Sequence, residues 1–205
     1  MFYDPRVSPP PCEFSHNPFP ALIAPRPIAW VSSIGHGGHV NLAPYSHFNI
    51  AAVDPPMVMF APSNKDERGT PKDTLRNVTE VPEFVINIVS YEQRESMNLT
   101  SKMHEYGVSE FEAAGLATAP SVNVRPPRVA GCRASLECQV WKIVALPNGP
   151  LNRPASIVIG KVVGIHVDPS VVSKGRVQAG LLKHVARHGY LEYSAVFETF
   201  EMPRP

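Results

Sequence analysis

The sequence predicts a mainly β protein, an antiparallel barrel with helices at its periphery. Short apolar runs of strand length alternate with turn-forming residues from residue 28 onward. The two longest runs are joined by the loop PNGPLNRP, whose composition is typical of a turn between hairpin strands. Strands do not alternate with regular helices, and this disfavours a doubly wound parallel sheet.

Composition and charge indicate one globular domain over residues 1–205 without a strongly charged face. The chain is 43% apolar and 18% charged, its formal net charge is +1, and its three cysteines form no C-x-x-C pair. Nucleic acid or an anionic membrane would need a concentrated positive field, so neither is an expected partner. Because no signal-peptide pattern and no apolar run of about 18 residues occurs, we expect a cytoplasmic protein.

Residues 1–26 are predicted to form a proline-rich extension that wraps over the surface without a helix or a central strand. Eight prolines lie between Pro5 and Pro27. Proline fixes φ and lacks the N–H group that helices and inner strands use. The barrel and its helices are expected within residues 27–200.

The barrel is predicted to begin with a hairpin. Its strands are residues 28–35 and 40–46, and Gly37 and Gly38 supply positive φ angles at the turn. Further strands are predicted at residues 57–61, 84–89, 134–145, 156–167 and 190–200. Helices are predicted at residues 71–80, 92–101, 109–114 and 178–187.

The segment from Ser63 to Asn77 has the features of a helix start that binds an anion. Thr70 can cap the helix, Pro71 suits its first position, and Asp73 completes a short version of the capping box. Such a start presents free N–H groups and a positive dipole end to an anion. A capped surface helix with solvated charges is the other interpretation of the same residues. Side chains that could add a charge or a donor are those of Ser63, Lys72, Thr74 and Arg76.

Six sequence blocks resemble, in order, the flavin reductase-like family of the FMN-binding split barrel, which includes flavoredoxin and nitrilotriacetate monooxygenase component B. They are APRPIAWVSSI at 24–34, VNLAPYSHFN at 40–49, DPPMVMF at 54–60, KDTLRN at 72–77, EFVINIV at 83–89 and VIGKVVGIHV at 158–167. The resemblance implies a six-stranded antiparallel Greek-key split barrel with peripheral helices. It also implies a homodimer with FMN near the subunit interface.

The same resemblance assigns site residues to each part of FMN. The residues implied at the phosphate and ribityl chain are Ser63, Lys72, Thr74 and Asn77. Those implied along the isoalloxazine are Asn41, Ala43, Pro44, Tyr45, Ser46 and Asn49. Those implied to line the pocket from the first barrel strand are Trp30, Ser32 and Ser33. Those implied at the exposed side of the flavin are Arg187, His188 and Tyr190, with His188 as a candidate catalytic residue for contact with nicotinamide or substrate.

Two of these aromatic residues have a second interpretation that the sequence leaves open. Trp30 either stacks on the flavin or fills the core, and Tyr45 either lies along the flavin or packs inward as a barrel residue.

Two histidines near the C-terminus have a spacing that can bind a metal ion. His184 and His188 are four residues apart on a predicted helix, but the glutamate of H-E-x-x-H and a third ligand are missing. We therefore expect two solvated histidines and no metal. His36 and His39 in the hairpin turn are interpreted in the same way.

The predicted function is NAD(P)H-dependent reduction of bound FMN, with transfer to free flavin, a partner protein such as an oxygenase, or a small organic acceptor. The alternative is a non-catalytic FMN carrier. It is favoured by Arg153, Pro154 and Ala155, which stand where the shorter reductases of this superfamily have G-D-H. An oxidase of the pyridoxamine-phosphate type would need a basic cluster beyond Arg125 and Arg128.

Overall fold

A computed structural model describes residues 1–65, 69, 71–149 and 154–204. Its strands are β1 Arg26–Pro27, β2 Ala29–Ile34, β3 Val40–Tyr45, β4 Phe48–Ala52, β5 Met57–Phe60, β6 Glu83–Ile88, β7 Thr118–Ala119, β8 Arg128–Val129, β9 Ala134–Ala145, β10 Ser156–Val167, β11 Val172–Ser173, β12 Arg176–Val177, β13 Val185–Arg187 and β14 Tyr193–Ala195. Its helices are α1 Phe19–Leu22, α2 Asp73–Glu80, α3 Arg94–Leu99, α4 Glu110–Ala113 and α5 Ala179–Leu182. Short 3₁₀ turns lie at Tyr91–Gln93 and Pro169–Val171.

The main sheet is antiparallel and has the strand order β3-β2-β6-β9-β10-β5-β4. Its two edge strands, β3 and β4, are consecutive in the chain and are separated by Ser46 and His47 alone. Because so short a link joins opposite edges, the sheet curls into a split barrel. The predicted class is confirmed, but the main sheet has seven strands and not six. The additional strand is β4, whose side chains are half-buried or exposed and therefore give no alternating pattern in the sequence.

Alternate residues of β2 pack into two different hydrophobic cores, as expected for a strand that is covered on both faces. Ala29 and Val31 point into the barrel and pack with Phe60, Phe84 and other apolar residues. On the opposite face, Trp30 packs with apolar side chains from the strands and helices that cover the barrel: Ile28, Leu42, Val89, Met97, Phe111, Val129 and Val185. The site described below lies where β3 and the helices meet.

Gly160 lets β10 pass close to a buried ring inside the barrel. A Cβ atom at Gly160 would lie 2.5 Å from Cζ of Phe84, whose side chain is fully buried. We expect Gly160→Ala to lower the free energy of unfolding by about 1–3 kcal/mol, because the added methyl group would overlap a buried ring that must then shift within the core. Denaturant unfolding measures this change. Gly149→Ala, with nothing within 4 Å of its added Cβ, is the matched control, and equal losses in the two variants would contradict the prediction.

The proline-rich extension contains one helical turn, so the prediction of no helix before residue 27 is wrong at Phe19–Leu22. Proline is compatible with the first turn of a helix, where N–H groups have no intrahelical partner. Pro18 is the N-cap residue of α1, and a further proline lies in the first turn.

The C-terminal elements also differ from the prediction. The helix expected at residues 178–187 stops at Leu182, because Lys183 adopts a left-handed conformation with φ of 50°. Val185–Arg187 is instead a strand, pairs with β1, and belongs to a separate sheet of order β1-β13-β14. The strand expected at residues 190–200 is limited to Tyr193–Ala195.

The first hairpin forms as predicted, but only one of its two glycines has the expected conformation. Gly38 has φ of 82°, whereas Gly37 does not have a positive φ. The turn is closed by a hydrogen bond from the Gly35 N–H to the His39 carbonyl. Among the described residues, no helix is long and apolar enough to cross a membrane.

Candidate functional site

A cavity of about 330 Å³ lies between β3, at the edge of the sheet, and the beginning of α2. Its opposite wall is formed by residues 100–106 and by Glu110 of α4. Six residues predicted for the flavin site line this cavity, namely Asn41, Ala43, Pro44, Tyr45, Lys72 and Thr74. The tertiary structure thus brings two separate sequence blocks, at residues 40–49 and 72–77, to one site.

The start of α2 contributes positive charge to the cavity. Lys72 is the N-cap residue in extended conformation, and its N–H donates to the Asn64 carbonyl. The first-turn N–H groups have no intrahelical partners, and the helix dipole places partial positive charge there. The helix begins at Asp73 and not at Pro71 as predicted. The proposed Thr70 cap lies outside the described residues.

Ser63 precedes α2 in the chain and lies outside the residues that line the cavity. It pairs with Ala155 in an isolated bridge, and the N–H of the next residue, Asn64, donates to the Pro154 carbonyl. Pro154 and Ala155, which stand at the position of G-D-H in the shorter reductases, therefore lie directly beside Ser63 and Asn64. Arg153 lies outside the described residues.

Polar side chains of α2 hold the helix against β2 and β3. The Asn41 amide lies 2.8 Å from Oγ1 of Thr74, and Tyr45 shares a hydrogen bond with the same hydroxyl. Asn77 donates to Oγ of Ser33 at 3.2 Å. Each of Thr74 and Asn77 is 1% exposed; Thr74 lines the cavity, whereas Asn77 lies outside the residues that line it. Oδ1 of Asn77 finds no hydrogen-bond partner within the described part of the chain.

Glu110 is a component of the cavity that the sequence did not single out. Its Oε2 accepts the Leu42 N–H at 2.9 Å, and the residue is 6% exposed. Burial raises the pKa of Glu110 to about 7; the Leu42 N–H opposes this shift and the negative charge of Asp73 adds to it. No local pattern distinguishes Glu110 from Glu112, which is exposed on the same short helix.

Trp30 and Ser32 lie away from the cavity. The Trp30 side chain is fully buried on the helix side of the sheet, where its Nε1 donates to Oγ1 of Thr100 at 2.8 Å. Of the two interpretations left open by the sequence, the indole adopts the one in which it fills the core. Ser32 is also fully buried and donates to the Pro127 carbonyl at 2.5 Å.

Ser46 and Asn49 lie past the end of β3, outside the residues that line the cavity. Ser46 is half-buried in the link between β3 and β4, next to the cavity residue Tyr45. Asn49 is exposed on β4, where its Oδ1 accepts the N–H of Ile50.

The predicted residues near the C-terminus form a second group. Arg187 donates to the Tyr190 carbonyl at 2.9 Å and to the Tyr193 hydroxyl at 3.1 Å. Nε2 of His188 lies 2.8 Å from Oγ of Ser194. Arg187 lines a groove of about 820 Å³, and this groove shares Ser101 with the cavity.

The two histidines weighed for a metal do not share a helix. His184 is paired with Ser90 in an isolated bridge, and β13 separates it from His188. The prediction of a common helix is therefore wrong. In the part of the chain that the structure describes, no group of three or more His, Cys, Asp or Glu side chains is arranged to hold a metal ion.

Comparisons with known proteins agree with this architecture. A family model described as "Flavin reductase like domain" matches residues 22–184. An uncharacterised protein of Halalkalibacterium halodurans is 36% identical over 183 residues, which cover 89% of this chain and 87% of the relative. The crystal structure of nitrilotriacetate monooxygenase component B from Bacillus cereus is 30% identical and superimposes with a TM-score of 0.88 over 98% of both chains. That of 2-nitrobenzoate 2-nitroreductase from Pseudomonas fluorescens is also 30% identical, with a TM-score of 0.78 over 91% of this chain and 88% of the other. The residues matched by the family model include all those that line the cavity.

Proposed function

We propose that this chain, which belongs to the flavin reductase-like domain family, binds FMN in the cavity between β3 and α2 and acts as an NAD(P)H-dependent flavin oxidoreductase. The observation that carries the proposal is that the sequence blocks at residues 40–49 and 72–77 meet at one cavity. This cavity lies beside the N-terminal end of α2, where the helix dipole is positive. Family membership supports flavin binding and oxidoreductase activity.

The donors at the cavity fit a phosphate ester. Lys72 supplies an ammonium group, α2 supplies N–H groups, and Thr74 supplies a hydroxyl. The buried Oδ1 of Asn77 has no hydrogen-bond donor among the described residues, and we propose that a hydroxyl group of the ribityl chain donates to it. The cavity volume is within the range of small-molecule sites. We therefore assign Ser63, Lys72, Thr74 and Asn77 to the phosphate and ribityl end.

The remaining predicted residues are proposed to surround the flavin ring. When bound, FMN supplies the hydride and electron chemistry, and the protein positions it and excludes competing reactions. Ser46 follows the cavity residues Pro44 and Tyr45 and is assigned to the polar edge of the ring. His188 is proposed to contact nicotinamide or substrate together with Arg187 and Tyr190. Arg187 lines the groove that adjoins the cavity, and His188 contacts Ser194 of the same groove.

Donor, acceptor and assembly are part of the same proposal. NADH or NADPH is the proposed electron donor. Similarity to a monooxygenase component B supports an oxygenase partner or a free flavin as acceptor, and similarity to a nitroreductase supports a small organic acceptor. Exposed apolar side chains on and beside β4 and β5, namely Ile50, Val53 and Met59, support a homodimer. A cytoplasmic location is proposed with these assignments.

A non-catalytic FMN carrier is the second candidate, because Pro154 and Ala155 stand where a nicotinamide-contacting histidine was sought. Mixing the FMN-loaded protein anaerobically with NADH or NADPH separates the two. Loss of the flavin absorbance near 450 nm within seconds is the result expected for a reductase. Flavin that stays oxidised with both nucleotides but is reduced by dithionite supports the carrier. Protein that cannot be loaded with FMN at all refutes both.

A further inference from the structure

A chain of hydrogen-bonding groups connects Glu110 with the Thr74 hydroxyl. The Asn41 amide lies between them, 2.8 Å from Oγ1 of Thr74 and 3.3 Å from Oε1 of Glu110. Oε2 of Glu110 accepts the Leu42 N–H, so the carboxyl group is held at the open edge of β3. Asn41, Thr74 and Glu110 are each at least 94% buried, and all three line the cavity. Each group in such a buried chain must match the donor and acceptor roles of its neighbours.

When Glu110 is ionised, the direction of this chain is fixed. A carboxylate only accepts, so the Asn41 amide must turn its NH₂ group to Glu110 and its oxygen to Thr74. The Thr74 hydroxyl then donates its single proton to Asn41. That hydroxyl then has no proton left for an anion in the cavity.

When Glu110 is protonated, the direction reverses. Its O–H donates to the Asn41 oxygen, and the Asn41 NH₂ group donates to Oγ1 of Thr74 across the 2.8 Å contact. In this arrangement the Thr74 hydroxyl accepts from Asn41 and no longer donates to it. Its own proton is then free to point into the cavity.

Among the charges around Glu110, the negative charge of Asp73 adds to the effect of burial and favours the protonated carboxyl group. Asp73 and Glu105 line the cavity as carboxylates, and Lys72 and Lys102 line it as cations. His104, Tyr106 and Tyr45 complete the titratable groups that face it. Asp73 and burial together raise the pKa of Glu110 to about 7, so both protonation states of Glu110 exist near neutral pH.

We propose that Glu110 is a positioning residue whose proton sets the direction of the Glu110–Asn41–Thr74 chain and thereby frees the Thr74 hydroxyl to bind the phosphate of FMN. The inference rests on the proposed function, because it takes FMN as the ligand of the cavity. FMN then binds more tightly to protein with neutral Glu110, and binding raises the pKa of this carboxyl group further.

The expected result is an FMN affinity that falls as the pH rises through about 7. If binding raises the pKa of Glu110 by one unit, affinity falls about fivefold between pH 7 and pH 9, a range that lies above the second pKa of the phosphate at roughly 6. FMN titrations followed by fluorescence quenching measure this profile. Glu110→Gln mimics the neutral carboxyl group, so we expect high affinity without that fall. Glu112→Gln removes the same charge from an exposed position on α4 and is the matched control, with the wild-type profile expected.

Thr74→Val tests whether the hydroxyl carries the effect. It is expected to bind FMN more weakly and to lose the fall with pH, because the last donor of the chain is gone. A fall retained in Thr74→Val would mean that the Glu110 charge repels the phosphate directly, and the proposed chain would be overturned.

Calorimetry in two buffers of different ionisation enthalpy provides a test that needs no variant. Wild-type protein is expected to take up part of a proton when it binds FMN at pH 7.5. Binding without proton uptake overturns the inference and leaves the proposed function standing. Failure of the wild type to bind FMN at any pH overturns the proposed function and this inference with it.

Discussion

Lys72→Ala is expected to weaken FMN binding by about 10- to 100-fold while leaving the binding of riboflavin nearly unchanged. Lys72 is half-buried at the cavity, in the turn that leads into α2. A hydrogen bond to a charged group contributes about 1.5–3 kcal/mol, and each 1.4 kcal/mol corresponds to about a tenfold change in affinity. Riboflavin has no phosphate group, so its affinity does not depend on the charge of Lys72.

Titration of both ligands, followed by quenching of flavin fluorescence, measures the two affinities. Lys142→Ala removes an exposed lysine from β9, away from the cavity, and serves as the matched control. The difference between FMN and riboflavin is expected to shrink at high ionic strength, because salt screens a half-exposed charge. Equal losses for the two ligands would show that Lys72 shapes the cavity without binding phosphate.

Trp30→Ala is expected to lower the free energy of unfolding by about 3–5 kcal/mol, the range for removal of a large buried aromatic side chain. The indole is fully buried among the residues of the helix-side core, and its Nε1 donates to Thr100. Trp30→Phe is expected to be milder, with a loss of about 1–2 kcal/mol, because it removes the donor but keeps an aromatic ring. Denaturant unfolding followed by circular dichroism measures both changes.

The same variant tests the alternative in which Trp30 stacks on the flavin. Because the indole lies outside the cavity, folded Trp30→Phe is expected to bind FMN with wild-type affinity. Trp141→Phe is the matched control for stability, since this second tryptophan is 56% exposed, and a change within about 0.5 kcal/mol is expected. Weakened FMN binding without loss of stability in Trp30→Phe would place the indole at the flavin after all.

Local sequence was sufficient for the long strands of the barrel. The predicted bounds of β9 and β10 coincide with those observed, Ala134–Ala145 and Ser156–Val167. Both are long runs rich in β-branched and apolar residues, and the loop between them is rich in turn formers. Such signals need no information from distant parts of the chain.

Elements that depend on distant partners were not predictable in this way. Val185–Arg187 has a composition compatible with a helix, and it becomes a strand because it pairs with β1, which is far away in the sequence. The strand β4 presents half-buried and exposed residues, so it lacks the alternation by which a strand is recognised. In both cases the deciding interactions are made by other segments.

For the site, the sequence by itself determined that a helix begins near Lys72 and Thr74, and the ordered blocks identified the flavin reductase-like family. Anion binding by this helix start stays a prediction. Helix starts and sequence blocks are local features, and residues near one another in the chain suffice to define them. The tertiary structure decided which residues meet. It placed β3 against α2, turned the Trp30 indole into the core and buried Glu110 beside Thr74. These outcomes depend on which face of the curled sheet each helix covers, and packing between distant segments alone sets that choice.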